Sequence, residues 1–312
     1  MLAINDRIPD KKQNHNKIII NPSLSIRYQM NSELTLSAST SFSQSYGDMS
    51  SYYTGYIMHG YRSLLRNSID RLFETRSGGG NFSFTYRNIF KTLFLDGGIN
   101  YIRSWKNLLY GYNYQGIMSV KTVIDQPTQS EGYGFNISGS KGLSFWSATV
   151  RASAGYNTST GELLIQNEIL NYRSKGYNAS GGFNMNPVRF MGLTYSMSYG
   201  QSKSYTVERP ERFPPIRRTS QEARINLYPL KTLTFNLSFE YQYNSAANVR
   251  YTYFADAGIK YKHKQLDLEL ALNNLFNAKQ YVSASYSDIS TYYYSYDLRP
   301  ASLLLKARFR IK

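Results

Sequence analysis

Cysteine is absent from the 312 residues, so disulfides and thiolate metal sites are excluded. Long apolar runs are missing too. No unbroken run of aliphatic or aromatic residues exceeds three, as at Ile18 to Ile20 and Leu303 to Leu305. A membrane-spanning helix needs roughly 18 such residues, so helical membrane architectures are excluded. Histidine is scarce: His15, His59 and His263 stand too far apart for any ligand pair. Acidic residues are outnumbered 20 to 36 by Lys and Arg, which leaves a formal charge of +16. That excess is spread along the whole chain instead of forming a patch, which argues against a nucleic-acid partner. The first residues, Met1-Leu-Ala-Ile-Asn-Asp-Arg7, lack a basic segment followed by an apolar one. Any export signal is expected outside this chain.

Aromatic residues are plentiful: 30 Tyr, 16 Phe and 2 Trp exclude a disordered chain. They fall into a pattern of period two. Leu233, Phe235, Leu237, Phe239, Tyr241 and Tyr243 interleave with Thr234, Asn236, Ser238, Glu240 and Gln242. The same alternation runs through Leu34 to Ser43, Trp146 to Asn157 and Leu266 to Asn273, with weaker copies between. Successive side chains of a strand point to opposite faces, so each stretch has an apolar and a polar face. The pattern predicts an all-β, antiparallel, up-and-down transmembrane β-barrel portion of about thirteen strands, ending with Ala301 to Ile311.

The connections alternate between tight turns and long polar or aromatic stretches. The turns include Asn31 to Glu33, Arg87 to Lys91, Ser140 to Gly142, Asn184 to Val188, Tyr228 to Lys231 and Lys262 to Gln265. The long stretches are expected at 47–79, 103–132, 157–175, 201–219 and 277–300, with Leu65, Ile69, Leu72 and Phe73 spaced for a short helix. Short turns at one end and long loops at the other mark an outer-membrane barrel. A soluble sandwich would have shorter strands and no such asymmetry.

Charge on the lipid side of a barrel strand is costly. Arg27, Asp96, Arg151, Arg224, Glu240, Asp256, Asp267, Glu269, Lys306, Arg308 and Arg310 all fall on the polar phase and are expected to face the lumen. Leu, Ile, Ala and Phe of the other phase are expected to face lipid, with tyrosines near strand ends in an interfacial girdle. Residues 1–17 are expected to be an extracellular loop remnant or disordered, and 18–312 the barrel portion. Because an odd strand count cannot close an all-antiparallel barrel, the chain is expected to be part of a larger one.

Particular residues strengthen this. Leu268-Glu-Leu-Ala-Leu-Asn-Asn-Leu-Phe-Asn277 resembles the penultimate strand of TonB-dependent outer-membrane receptors, and Leu298 to Ile311 resembles their last strand. Tyr61 to Asn67, Glu74-Thr-Arg76 and Tyr86 to Lys91 are similar to segments of the outer-membrane barrel family found in one receptor subgroup. The resemblance implies the C-terminal part of a barrel of about twenty-two strands in the bacterial cell outer membrane. It also implies an N-terminal plug and further barrel strands, none visible here, with the TonB complex acting through the plug. The implied activity is import of a scarce nutrient: an iron chelate, cofactor or glycan fragment. A plug-free structural or adhesive barrel and a diffusion porin are the alternatives. No bond chemistry, cofactor or metal is implied.

Outer loops on a rigid scaffold are where binding residues usually sit. Tyr52, Tyr53, Tyr56 and Tyr61 form one aromatic loop, Tyr110, Tyr112 and Tyr114 a second, and Tyr292, Tyr293, Tyr294 and Tyr296 a third. Their faces suit stacking on a sugar or chelate, and equally suit girdle or loop packing. Loop cations, among them Arg62, Arg66, Arg173, Lys203 and Arg218, suit an anionic ligand or the phosphates of lipopolysaccharide, or a solvated face.

Overall fold

The computed structural model describes residues 2–5, 14–47, 55–67, 69, 71–208, 214–287 and 290–309. The first strands in chain order are β1 (Leu2–Asn5), β2 (Asn14–Lys17), β3 (Ser23–Gln29), β4 (Leu34–Tyr46), β5 (Gly55–Gly60), β6 (Ser63–Asn67) and β7 (Glu74–Asn88). Next come β8 (Leu93–Lys106), β9 (Leu109–Gln115), β10 (Met118–Ile124), β11 (Thr128–Leu143), β12 (Ala148–Ile165), β13 (Glu168–Val188) and β14 (Met191–Thr206). The last are β15 (Ile216–Leu230), β16 (Leu233–Asn244), β17 (Tyr251–His263), β18 (Leu266–Asn273), β19 (Gln280–Ser287), β20 (Ser290–Asp297) and β21 (Ser302–Phe309).

Thirteen of these make one antiparallel wall in the order β3-β4-β7-β8-β11-β12-β13-β14-β15-β16-β17-β18-β21. Among the described residues no ladder joins β3 to β21, so the sheet is open. No helix there is long and apolar enough to cross a membrane. β1 pairs with β2 as a separate hairpin within the segment expected as a loop remnant.

The register carries the two-faced pattern across the wall, because residues directly opposite each other share a face. One row runs Leu193, Ile225, Leu237, Ala257, Leu272, Leu303 over six strands. Another, on the opposite face, runs Asp96, Ser138, Ser153, Ser180, Ser198, Ser220, Gln242, Thr252. The apolar row is not a dry core: Leu237 is 48% exposed and Leu305, on the same face of β21, 70%.

Several expected loops are strand instead. The stretch 157–175 lies inside β12 and β13, which pair as far as Ile165 and Glu168 and leave a two-residue turn. Gln166 and Asn167 both hold positive φ (51° and 65°), the geometry that matches the right-handed twist of a hairpin. β13 likewise runs through 184–188 with a register shift between Met185 and Val188, and the turn falls at 189–190. The expected helix is replaced by β6, which takes Leu65, and by packing of Leu72. Both side chains are buried, so their spacing records a core instead of a helical stripe.

Candidate ligand-facing surface

Ten of the eleven charged residues expected in the lumen share one face of the wall: Arg27, Asp96, Arg151, Arg224, Glu240, Asp256, Asp267, Glu269, Lys306 and Arg308. Arg310 lies outside the described residues. Asp96, Arg151 and Glu222 line a cavity of about 610 Å³ together with Ser153, Ser180 and Ser198. Asp96 accepts a bond from Thr85 Oγ1 at 2.9 Å, and Glu222 pairs with Arg224. Asp256 accepts the backbone N–H of Asn274 at 2.7 Å. Towards the short turns the charges alternate in sign across neighbouring strands: Lys260, Glu269, Lys306 in one row and Lys262, Asp267, Arg308 in the next.

At the long-loop end, two structures rise above the wall. The first is an outer sheet in the order β5-β6-β10-β9, which joins the tip of β12 where Leu164 pairs with Gly111. A Cβ at Gly111 would collide with Leu164, so glycine permits the approach. Gln166 donates its backbone N–H to Tyr112 O at 3.1 Å and its Nε2 to Tyr114 O at 3.1 Å, which ties the β12–β13 turn down. Leu65, Leu109, Val120, Val123 and Leu164 are buried here. Tyr110 is half-buried against Phe73, centroids 4.9 Å apart, with Lys121 Nζ 4.4 Å from its ring, so it is a packing residue. Tyr112 and Tyr114 stack at 6.4 Å and stay exposed. Tyr56 and Tyr61 are exposed beside Arg66 and Arg62, whose guanidinium carbons lie 5.7 and 4.7 Å from the rings. Tyr52 and Tyr53 lie outside the described residues.

The second structure is the β19–β20 hairpin. It carries Tyr292 and Tyr294 on one face and Tyr293 on the other, in a sheet of its own apart from the other loop tyrosines. Arg218 Nη2 and Asn244 Nδ2 both donate to Ala284 O, and Ala284 is fully buried. Because Arg218 opposes Gly200 and Asn244, it stands on the same face as Ser220 and Glu222. The hairpin is thus tied to the charged face of the wall at its outer end. A cavity of about 400 Å³ lies between them, lined by Arg218, Arg250, Gln242, Asn244, Tyr243 and Tyr281. None of its lining residues is a carboxylate, and among the described residues neither arginine forms an ion pair. Such a cleft suits an anion, because guanidiniums fork onto its oxygens; Tyr281 comes from the hairpin, while Tyr243 shares the apolar face of β16 with Leu237. Sequence reasoning placed Arg218 among loop cations. Stepping the polar phase of β15 back from Arg224 through Glu222 and Ser220 would have found its place on the wall.

The segment Asn273 to Asn277 acquires a physical role. Asn274 and Asn277 hold φ of 55° and 54°, which asparagine tolerates better than most residues. Asn274 Nδ2 donates to Ala278 O and Arg299 O, each at 2.9 Å, and its Oδ1 accepts from Ala278 N at 2.8 Å. Phe276 meets Phe239 edge-on, centroids 6.2 Å apart. The motif clamps the base of the loop that carries the hairpin.

Compared with solved structures, the chain matches a mutant of the ferric enterobactin receptor of Pseudomonas aeruginosa. The TM-score is 0.54 at 9% identity, over 85% of this chain and 41% of the receptor. The chain has the fold of a receptor barrel wall. It likewise matches a siderophore receptor of Acinetobacter baumannii, with TM-score 0.52 at 9% identity, over 86% of this chain and 40% of that one. A siderophore receptor of Pseudomonas aeruginosa gives 0.51 at 10% identity, over 85% and 40%. The chain thus spans about two fifths of the length of the receptors it matches. These neighbours are receptors, not enzymes. No protein-family model and no curated protein sequence matches the chain.

Proposed function

We propose that this chain supplies barrel wall and outer loops to a TonB-dependent receptor of the bacterial outer membrane, which imports an anionic nutrient complex such as an iron chelate. The observation that carries the reading is the arginine-lined cleft under the tethered β19–β20 hairpin, at the outer end of the charged face. The apolar face meets hydrocarbon and the charged face bounds an aqueous interior. A plug inside the larger barrel, contacted by the mixed-sign rows, would link the receptor to the TonB complex. Lipopolysaccharide would meet the outer loop cations. A diffusion porin fits less well, because the outer strands pair with one another and with β12, and the hairpin is tied over the charged face of the wall.

Titration of the detergent-held chain with ferric chelates, cobalamin and oligosaccharides, followed by tyrosine fluorescence, tests this. A ferric chelate with negative charge is expected to bind, and Arg218→Ala with Arg250→Ala to weaken it at least about tenfold, the loss of two charge-assisted contacts. Equal binding of neutral oligosaccharides, or no effect of the double variant, would overturn the reading.

A further inference from the structure

The short-turn rim carries a repeated pairing that the import reading does not use. Five consecutive turns along the wall each expose apolar side chains beside a cation. Between β7 and β8, Ile89 (76% exposed) and Phe90 (100%) precede Lys91. Between β11 and β12, Phe145 and Trp146 form an edge-on pair at 5.3 Å, with Trp146 at φ 59°. Lys141 just before them donates to Lys91 O and so joins this turn to its neighbour. Thr92 Oγ1 adds a bond to Gly142 O at 2.9 Å. Between β13 and β14 stand Arg189 and Phe190; β15 ends in the exposed Tyr228 and Leu230, with Lys231 in the turn that follows. β17 ends with the exposed Tyr261, and Lys264 stands in the turn that follows.

Among the described residues none of Lys91, Arg189, Lys231 and Lys264 forms an ion pair. The nearby acids are accounted for: Glu33 accepts from Asn88 Nδ2 at 2.6 Å, and Asp267 stands between Lys262 and Arg308 in its row. Apolar tips facing bulk water would be a standing cost. At a lipid boundary the same tips enter the acyl edge while the cations stay at headgroup level. The unpaired cations specify the sign of that headgroup.

We propose that this rim is a binding surface for the phosphodiesters of anionic phospholipid in the inward-facing leaflet. The proposal rests on the reading above that the wall spans a membrane with its short turns inward. Anionic lipid would then be enriched around the turns, roughly fivefold for each cation near the surface.

Trp105→Phe leaves Trp146, in the rim, as the sole tryptophan. The chain is placed in vesicles of equimolar phosphatidylglycerol and phosphatidylcholine, with one lipid or the other carrying bromine on its chains. Brominated phosphatidylglycerol is expected to quench Trp146 several-fold more than brominated phosphatidylcholine. Lys91→Glu, Arg189→Glu and Lys231→Glu together are expected to bring the ratio to one. A second probe, Leu237→Trp in a chain lacking both native tryptophans, sits on the apolar face and should be quenched equally by the two lipids. If Leu237→Trp is not quenched at all, the wall does not meet lipid and both readings fall. If it is quenched but Trp146 shows no preference, or the preference survives the triple variant, the rim proposal alone is overturned.

Discussion

Leu237 and Leu164 sit on strands of the same continuous sheet, yet the first is 48% exposed and the second 2%. The difference separates two regions. In the wall, apolar rows such as Leu193 to Leu303 form one flank of a single layer, and Leu237, Leu272 and Leu303 in that row stay exposed. In the outer sheet, Leu65, Leu109, Val123 and Leu164 are all buried, Leu65 and Val123 on one face and Leu109 and Leu164 on the other. One sequence therefore treats its hydrophobic residues in two ways. The outer sheet makes its own core, as a water-soluble domain does, while the wall leaves that task to its surroundings. A wall surrounded by water would leave extended apolar patches uncovered, whereas hydrocarbon removes that cost.

The sharpest way to break this contrast is to cut both kinds of leucine. Leu164→Ala opens a cavity in a packed cluster and is expected to cost about 2–5 kcal/mol of outer-sheet stability. Limited proteolysis would register it as cleavage within 107–127 while the wall stays resistant. Leu237→Ala should lose far less, since it leaves no internal cavity. Equal effects at the two sites would mean that the wall also has a dry core.

Charge provides the complementary experiment. Leu237→Arg puts a cation on the apolar face and is expected to cost about 2–4 kcal/mol if it lies near mid-membrane, read from urea-dependent refolding into vesicles. Its neighbour Ser238 opposes Asp256 and Arg224 on the charged face. Ser238→Arg should stay within about 1 kcal/mol of the parent, as expected where charges meet water and each other. A reversal of that order would exchange the two faces.

Smaller again is the clamp at the base of the hairpin loop. Asn274→Ala removes three side-chain bonds and leaves two carbonyls and an N–H to find water, at an expected cost of about 1–3 kcal/mol. The loss should be confined to 274–301, seen as faster amide exchange in β19 and β20 with β12 to β16 unchanged. Spread of the exchange into β16 would show that the hairpin supports the wall as well as resting on it.

The wall was legible in the sequence because period two is imposed residue by residue: a strand with two solvents must alternate. All thirteen wall strands correspond to stretches that alternation marked, and the charges on its polar phase do share a face. The outer region was less legible because its partners are distant in sequence. β6 pairs with β10 and β9 with β12 in parallel, and no local pattern announces a neighbour some fifty residues away. The spacing of Leu65, Ile69 and Leu72 therefore looked helical although Leu65 belongs to a strand. The stretch 157–175 looked like a loop because its polar residues hide a strand pairing that ends in Gln166-Asn167. The arginine cleft escaped for the same reason, since Arg218 and Ala284 meet only after the hairpin folds back.

The smallest expected effect tests the interior most directly. Lys260 Nζ lies 3.2 Å from Glu269, with side chains 51% and 37% exposed. If the charged face bounds water, that pair is screened and flanked by alternating charges, so Lys260→Ala should cost less than about 1 kcal/mol and the difference should vanish at high salt. If the face were instead sealed from water, removing one partner would strand a buried charge and cost about 3–5 kcal/mol, largely insensitive to salt. A salt series on this one substitution thus measures the solvent on the inner side of the wall, as Leu237→Arg measures it on the outer side. Only the combination of a cheap pair inside and a costly cation outside describes a sheet with water on one face and hydrocarbon on the other.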